Sequence, residues 1–207
     1  MEVDDMDFEV VEDKQKKLCS ISKRRANLLE EWRKVTKYGK VIEGTNILPI
    51  KTPMSRKRWT DHTPQEDQFK LIPLIQEINK TGKTVAAIVD LNRNDSGYYN
   101  FDWAQWRNKD ILGRIEYRKI KIGTKEIGNK AQLNKVYDIL NKNVFKKDQV
   151  VLVHCTRGIN RTGHAVCYFL CKRFELTPEE AIKRFNEARG YPIDKKDILD
   201  DLFDRFG

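Results

Sequence analysis

Blocks of apolar residues with two different periods predict strands and helices in turn along most of the chain. Runs of β-branched and apolar residues predict buried strands at Thr84–Asp90 and Val150–Val153, and an alternating pattern predicts a third strand at Arg114–Ile122. Apolar residues at helical spacing predict helices at 21–35, Pro64–Asn79, Phe101–Lys109, Asn129–Asn143, from near Arg161, Thr177–Ala188 and Lys195–Phe206. This alternation predicts an α/β fold in which a central, mostly parallel sheet is flanked by helices.

Proline and tryptophan residues refine two of these helices. Pro64 is expected to open the second helix, and Pro73 is expected to kink or split it. The helix that begins at Phe101 carries Trp103 and Trp106. Their indole rings suit either stacking on nucleic acid bases or packing in the core, and core packing is the expected arrangement.

The segment from Val150 to Gly163 is where the chemistry is expected. A buried strand runs to Val153, a short loop follows, and a helix begins near Arg161, with five residues between Cys155 and Arg161. A loop of this length that leads into a helix directs successive backbone N–H groups at one point, and the helix dipole adds to their field. The segment therefore predicts an anion site.

Cys155 has the surroundings of an activated nucleophile. Backbone donors, a neighbouring arginine and a helix N-terminus are expected to lower the pKa of its thiol below the ordinary value of about 8.5. Arg161 can hold two phosphate oxygens with its planar guanidinium group. Thr162 places a hydroxyl where it can hydrogen-bond the sulfur, His154 can orient the loop, and Gly158 lets the loop turn. Together these parts predict a thiolate that attacks phosphorus.

The charge of the chain is positive and unevenly distributed. The 207 residues carry a net charge of +9, and residues 1–13 hold seven acidic residues and no basic one, so without them the rest of the chain carries +16. A basic body suits a polyanionic partner, either nucleic acid or a phosphoinositide membrane, although a well-solvated lysine-rich surface would show the same charge. Residues 1–20 are expected to be a disordered extension, and residues 21–207 to form a single domain.

Cysteine usage and hydropathy indicate the cellular setting. The four cysteines have no regular spacing and no apolar leader precedes them, which favours a reducing compartment. No run is long and apolar enough to span a bilayer. The three histidines form no metal-binding pattern, so neither a metal nor a cofactor is expected.

A ten-residue motif around Cys155 resembles the signature loop of the cysteine-dependent protein phosphatase superfamily. It reads His154-Cys155-x-x-Gly158-x-x-Arg161-Thr162-Gly163. The longer form, His-Cys-Thr-x-Gly-Ile-Asn-Arg-Thr-Gly, resembles one branch, the RNA 5′-triphosphatases of metazoan-type mRNA-capping enzymes and their stand-alone and baculoviral relatives. Two upstream segments are similar to the same branch, at Tyr38–Pro53 and Asp90–Tyr99. The resemblance covers the chain from about residue 32 to the end and implies a fold of the dual-specificity phosphatase type.

This resemblance implies that the chain removes the γ-phosphate from 5′-triphosphate RNA, the first step of mRNA capping, through a phosphocysteine. The implied site consists of catalytic Cys155, Arg161, Thr162 and Asp90 and substrate-binding His154, Thr156, Arg157, Gly158, Ile159 and Asn160. Asp90 ends a predicted strand, so it is expected at the same sheet edge as Cys155, where it either assists hydrolysis or caps the next loop. Glu126 is the alternative residue to assist hydrolysis. The implied partners are 5′-triphosphate RNA and a guanylyltransferase domain or protein. A monomer without membrane attachment is expected, in the nucleus, or in the cytoplasm for a viral or small-RNA-processing relative.

A missing acid, which the RNA triphosphatase branch lacks too, and two departures from the pattern of that branch distinguish this sequence. Protein phosphatases of the superfamily place an aspartate acid in the loop that here is Gly123–Asn129, where Glu126 is the only carboxylate. A departing diphosphate, with a pKa of about 6, needs less protonation than a tyrosine oxygen, with a pKa of about 10, so a γ-phosphatase can dispense with a strong acid. Gly97 stands where the family has arginine, and Arg93 is the nearby candidate to replace it. Arg157 stands where the family usually has histidine; it is expected to bind the β- or α-phosphate or to hold the loop through a salt bridge.

Two other classes of protein share these features. A dual-specificity protein phosphatase or a phosphoinositide phosphatase would have the same loop, and the additional cation at Arg157 suits a polyphosphorylated inositol. A non-catalytic module that binds RNA or phosphate would keep affinity without turnover. The intact Cys155, Arg161 and Thr162 argue against that module, so an RNA triphosphatase is the leading hypothesis.

Overall fold

A computed structural model describes residues 26–55, 64–93, 98–123, 129–144 and 146–207. The chain divides into two units, Met1–Val35 and Thr36–Gly207. In the first unit, residues 26–33 form helix α1, within the span predicted to be helical. The predictions for residues 1–20, for Gly97 and for Glu126 lie outside the described residues.

The second unit is built on a four-stranded sheet. Its strands are β1 (Ile47–Ile50), β2 (Thr84–Asp90), β3 (Glu116–Lys119) and β4 (Gln149–His154). They lie in the order β1-β4-β2-β3, and every neighbouring pair is parallel. The predicted α/β architecture with a parallel central sheet and flanking helices is therefore confirmed. The third strand is shorter than the predicted Arg114–Ile122, because its partner β2 ends at Asp90, opposite Lys119, and leaves no ladder beyond it.

The helices of this unit follow the strands. They are α2 (Leu71–Lys80), α3 (Phe101–Arg107), α4 (Lys109–Leu112), α5 (Lys130–Asn143), α6 (Asn160–Phe174), α7 (Pro178–Arg189) and α8 (Lys196–Phe206). The prediction that α2 begins at Pro64 is wrong: Pro64 leads into a short 3₁₀ turn, and the helix starts at Leu71. Pro73 then lies in the first turn of α2, where its missing N–H removes no intrahelical hydrogen bond, so it neither kinks nor splits the helix.

Helix α6 lies at the centre of the core. Eleven of its fifteen residues are buried, and α5, α7 and α8 pack against it. Gly163 lets α6 pack closely against α7 and the segment after it, because a Cβ atom there would lie 2.7 Å from the Ile193 side chain and 2.8 Å from the Phe185 ring. The helix that follows the signature loop is thus fixed on several sides, and the loop starts from a rigid base.

Helix α3 is held to the sheet by one aromatic side chain. Phe101 is buried and stacks on Tyr117, with ring centroids 4.5 Å apart. At about 100° per residue, Trp103 and Trp106 point about 200° and 140° away from Phe101, which turns both indoles outward. They are 58% and 69% exposed, so the expectation that these tryptophans pack in the core is wrong.

All four strands end at one edge of the sheet. Ile50 and Asp90 each pair with His154, and Asp90 also pairs with Lys119, so the residues that follow these strands lie side by side. In an open parallel sheet this edge is where ligands bind. Among the helices that the structure describes, none has the length and apolar character needed to cross a membrane.

Candidate active site

The loop between β4 and α6 is fixed by its contact with the end of β1. Gly158 has a φ of +69°, and a Cβ atom at that position would collide with the carbonyl oxygen of Ile50. The backbone N–H of Thr52 donates to the carbonyl of Thr156, at 3.0 Å. Only glycine combines this left-handed conformation with so close an approach, which explains why the loop requires it at position 158.

Cys155 is the nucleophile that this loop presents. Its side chain is buried, with 3% of the residue exposed. Burial alone would raise the pKa of the thiol, but the positive charge of Arg161, the hydroxyl and backbone N–H of Thr162 and the backbone N–H of Gly158 outweigh it and lower the pKa. The two other described cysteines behave differently: burial raises the pKa of Cys167, and it raises that of Cys171 to about 11.

The lowered pKa of Cys155 gives a testable pH dependence. A thiol with a depressed pKa ionises before its unperturbed counterpart, so the thiolate should already form below the ordinary value of about 8.5. Thiolate ultraviolet absorbance would be recorded against pH for the native protein and for a Cys155→Ser variant. The difference between the two titrations isolates the Cys155 thiol. We expect its midpoint to lie below that of a free cysteine; a midpoint at or above the free value would contradict the geometry.

Arg161 spans the mouth of the loop from the first turn of α6. Its guanidinium group donates to the carbonyls of Leu91 and Ile122, both at 3.2 Å, and to Thr156 Oγ1 at 3.1 Å. Leu91 follows β2, Ile122 follows β3, and Thr156 lies in the nucleophile loop. Three segments of the chain therefore hold the Arg161 cation beside Cys155. A planar group fixed in this way can act on phosphate oxygens without reorganising first.

His154 precedes the nucleophile loop and Thr162 follows it, and both are fully buried. Thr162 Oγ1 has no hydrogen-bond partner of ordinary geometry among the described residues, so the sulfur is the group it can serve. His154 is 0% exposed, and its Nε2 lies 2.8 Å from the hydroxyl of Tyr99. The buried ring and its bond with Tyr99 fit the orienting role that the sequence suggested for His154. Its expected contact with the substrate stays a prediction.

Asp90 anchors a buried network below the loop. It is 3% exposed, and its carboxylate accepts hydrogen bonds from Lys119 Nζ and the Tyr117 hydroxyl and two from Asn92, all between 2.8 and 2.9 Å. Its Oδ1 also lies 3.7 Å from His154 Nδ1. Burial would raise the pKa of this carboxyl, but the charge of His154, the Asn92 N–H and Lys119 lower it. Both oxygens are occupied, which favours the capping alternative for Asp90 over direct assistance to hydrolysis.

This assignment predicts a mild effect for Asp90→Asn. The amide keeps the shape of the carboxylate and one accepting oxygen, which retains two of the four hydrogen bonds. The groups around Cys155 are unchanged, so we expect phosphate release to fall by only about tenfold or less. A residue that removes a proton from the attacking water would instead cost about 10² to 10⁴-fold, and the phosphoenzyme would accumulate. A stopped-flow burst measurement on this variant distinguishes the two roles, since accumulation of the phosphoenzyme would refute a purely positioning carboxylate.

Asn92 joins this network to the loop, and sequence reasoning did not identify it. It is 2% exposed; its amide nitrogen donates to Asp90, and its amide oxygen accepts from Thr156 Oγ1 at 3.0 Å. The hydroxyl of Tyr98 lies 3.4 Å from the same Thr156 oxygen. The side chain of Thr156 is therefore used within the protein, and its backbone is the part available to a ligand. The signal in the sequence was that Asn92 comes two residues after a strand that ends at the ligand edge.

Arg157 and Asn160 both contact a residue that comes far later in the chain. Arg157 forms an ion pair with Asp194, at 3.3 Å, and Asn160 donates to the other carboxylate oxygen of Asp194 at 2.6 Å. The backbone N–H of Asp194 donates back to Asn160 at 3.0 Å. Of the two expectations for Arg157, the salt bridge that holds the loop is the one seen. Ile159, by contrast, is buried and offers its backbone only.

Arg189 is a second residue that the sequence did not mark as part of the site. It is 1% exposed and donates to the carbonyls of Gly158 and Arg157, at 3.0 and 2.8 Å, and to Thr36 at 2.9 and 3.0 Å. Burial lowers the pKa of its guanidinium to about 10, so it remains charged at neutral pH. By taking up loop carbonyls, Arg189 turns the N–H groups of the same peptide units toward Cys155.

The sequence of this chain is similar to known proteins whose chemistry agrees with the geometry of the site. Residues 81–204 match the family described as dual specificity phosphatase, catalytic domain. A tyrosine-protein phosphatase of Autographa californica nuclear polyhedrosis virus is 31% identical over 172 residues, which cover 83% of this chain and 96% of that protein. The RNA/RNP complex-1-interacting phosphatase of Mus musculus is 28% identical over 184 residues, which cover 87% of this chain and 54% of that protein.

Solved structures share the fold at low sequence identity. The crystal structure of PTPMT1 in complex with PI(5)P superimposes with a TM-score of 0.57 at 16% identity, covering 82% of this chain and 94% of that one. Tk-PTP in its active form gives a TM-score of 0.55 at 18% identity, covering 81% and 97%. At these identities the likeness establishes the fold alone.

Proposed function

The chain belongs to the dual specificity phosphatase catalytic-domain family, and from that premise we propose that it removes the γ-phosphate from 5′-triphosphate RNA. Membership in this family makes the protein a phosphatase-type hydrolase. The substrate is the further step. One observation carries it: the nucleophile loop is complete, whereas the loop after β3 offers no aspartate to protonate a poor leaving group.

The proposed reaction has two steps. The Cys155 thiolate attacks the γ-phosphorus in line with the bridging oxygen; the S–P bond forms, the bridging P–O bond breaks, and the RNA leaves as a 5′-diphosphate. Arg161 and the backbone N–H groups of the loop hold the equatorial oxygens. Water then attacks the phosphocysteine, which releases inorganic phosphate and restores the thiolate, with the water protons passing to solvent or phosphate.

The leaving group decides which substrates can react without an acid. A terminal diphosphate has a pKa of about 6 and a tyrosine oxygen one of about 10, and four units at 1.36 kcal/mol each amount to at most about 5 kcal/mol. Only a fraction of that difference appears in the barrier. It is still enough to favour triphosphate ends over phosphotyrosine for an enzyme in which Glu126 is the one carboxylate of residues 123–129.

The names of the relatives supply a supporting argument and a competing one. RNA/RNP complex-1-interacting phosphatase names a protein that interacts with an RNA-containing complex, which supports an RNA substrate for this chain. The viral relative is named a tyrosine-protein phosphatase, which keeps protein phosphatase activity as the second candidate. A phosphoinositide substrate is less well supported, because Arg157, the additional cation it would use, is paired with Asp194.

A comparison of three substrates tests the proposal. Phosphate release would be measured, without added metal and with a chelator present, from triphosphate-ended RNA, from a nucleoside triphosphate and from a phosphotyrosine peptide. We expect RNA to give the highest kcat/KM and the chelator to have no effect. A preference for the phosphopeptide would replace the proposal by the second candidate, and loss of activity with the chelator would refute the thiolate mechanism.

The same proposal extends to partners and location. A 5′-diphosphate RNA is the substrate for guanylylation, so we infer that a guanylyltransferase, as a domain or a separate protein, consumes the product. We place this step in the nucleus, where capping occurs, or in the cytoplasm if the substrate is a viral or small RNA. Co-purification of a guanylyltransferase with the tagged protein, and its imaging in cells, would test these inferences.

A further inference from the structure

Two large aromatic side chains are exposed on α3, the helix that follows Tyr98 and Tyr99. Trp103 and Trp106 are 58% and 69% exposed, the highest fractions among the large hydrophobic side chains that the structure describes. The guanidinium carbon of Arg107 lies over the Trp103 ring, 5.0 Å from its centroid. We call Trp103, Trp106 and Arg107 the tryptophan face. Exposed indoles lose the stability that burial would give, so their exposure indicates that they bind another molecule.

The segment before α3 connects this face directly to the nucleophile loop. The Tyr99 hydroxyl meets His154, and the Tyr98 hydroxyl lies 3.4 Å from Thr156 Oγ1. Trp103 follows Tyr99 by four residues, so their Cα atoms are at most about 14 Å apart. Phe101 adds rigidity, since it stacks on Tyr117, whose hydroxyl donates to Asp90. The face is therefore carried on a helix anchored to the sheet, on the chain segment that continues from two tyrosines in contact with the nucleophile loop and with His154.

We propose that the tryptophan face is a stacking platform for the first unpaired bases of single-stranded RNA whose 5′ end lies in the loop. The inference rests on the proposed function, because it assumes that the end held near Cys155 belongs to a polynucleotide. Indole rings stack on any base, and an arginine above one of them adds a cation for the backbone. The platform would therefore bind RNA without regard to sequence.

The local charge favours RNA over a protein partner. The segment that carries the face, residues 98–123, contains six basic and three acidic residues, and it keeps a positive excess when Lys119 is discounted for its ion pair with Asp90. The basic ones are Arg107, Lys109, Arg114, Arg118, Lys119 and Lys121, and the acidic ones are Asp102, Asp110 and Glu116. A purely apolar protein partner would gain nothing from this excess, whereas a polyanion with aromatic bases complements both properties.

The test compares RNA with a substrate too short to reach the face. Trp103→Ala and Trp106→Ala would each be assayed with a triphosphate-ended RNA of several nucleotides and with a nucleoside triphosphate. Loss of one stacked base typically costs about 1 to 3 kcal/mol, so we expect KM for RNA to rise about tenfold per substitution, with kcat for RNA nearly unchanged. The nucleoside triphosphate should show a much smaller change, and Trp→Phe should restore most of the RNA affinity.

Phe203 provides a matched control, because it is an exposed aromatic residue on α8. Phe203→Ala should leave both substrates unaffected. A binding measurement separates this inference from the proposed function. The same RNA without its triphosphate would be titrated into the protein, and binding would be monitored by quenching of tryptophan fluorescence. Quenching that is lost in Trp103→Ala supports the platform even if the protein releases no phosphate from RNA. Equal KM values for RNA in the native protein and both tryptophan variants, with no quenching, would overturn it.

Discussion

Cys155→Ser should reduce phosphate release by about 10⁵-fold or more, since loss of a nucleophile that works as part of a unit has effects of that order. A serine hydroxyl has no thiolate-like state at neutral pH and would need a base beside it. The described structure offers none: His154 is fully buried and bonded to Tyr99, and Asp90 has both oxygens occupied. Release of phosphate from triphosphate-ended RNA, measured with radiolabelled γ-phosphate, gives this number.

Binding and a second cysteine provide the controls for that result. The loop of the Cys155→Ser variant keeps its N–H groups and Arg161, so RNA affinity should stay within a few-fold of the native value. Cys171→Ser makes the same chemical change on the far part of α6, where burial raises the pKa of the thiol to about 11, and it should leave turnover intact. If Cys155→Ser retained a few per cent of the native rate, the sulfur would not be the nucleophile.

Arg161→Lys should reduce kcat/KM by about 10³-fold, although the charge is retained. Lysine is a point cation with a flexible stem; it cannot hold two equatorial oxygens in one plane or reproduce the contacts to Leu91, Ile122 and Thr156. Most of the loss should appear in kcat, because the three phosphoryl oxygens become coplanar only in the transition state of the transfer. Steady-state kinetics with triphosphate-ended RNA measures the split between kcat and KM.

Arg157→Lys is the matched control, since it makes the same exchange four residues earlier. Arg157 is paired with Asp194, and a lysine can keep that ion pair, so we expect an effect of about tenfold or less. If Arg157→Lys were as damaging as Arg161→Lys, the first expectation for Arg157, a direct contact with the β- or α-phosphate, would be correct. A small effect of Arg161→Lys would show instead that its guanidinium group only holds the loop.

Local sequence pattern was sufficient for the centre of this fold. The β-branched run of β4, the glycine-containing loop and the apolar surface of α6 each depend on neighbours within a few residues, and the structure has them as predicted. The parallel sheet followed from strands that alternate with helices. The start of α2 was missed because a proline that can open a helix also fits a 3₁₀ turn, and the choice depends on packing of residues 68–71.

The remaining errors involve contacts between distant parts of the chain. Hydrophobicity alone does not show whether a tryptophan is buried; only the position of Phe101 over Tyr117 turns Trp103 outward. Arg189 and Asp194 reach the loop across more than thirty residues, and nothing in their local sequence marks that contact. The sequence placed Asp90 correctly at the sheet edge. The hydrogen bonds that its carboxylate accepts from Lys119 and Tyr117 became visible only in the structure.

Covalent labelling of the enzyme tests the central claim most directly. Triphosphate-ended RNA with radiolabelled γ-phosphate would be mixed with enzyme, quenched within the first turnover, and the protein digested and mapped. The account predicts a burst of label on the peptide that contains Cys155, none from α-labelled RNA, and none in Cys155→Ser. Phosphate that appears in solution at the same rate with no label on that peptide would contradict it.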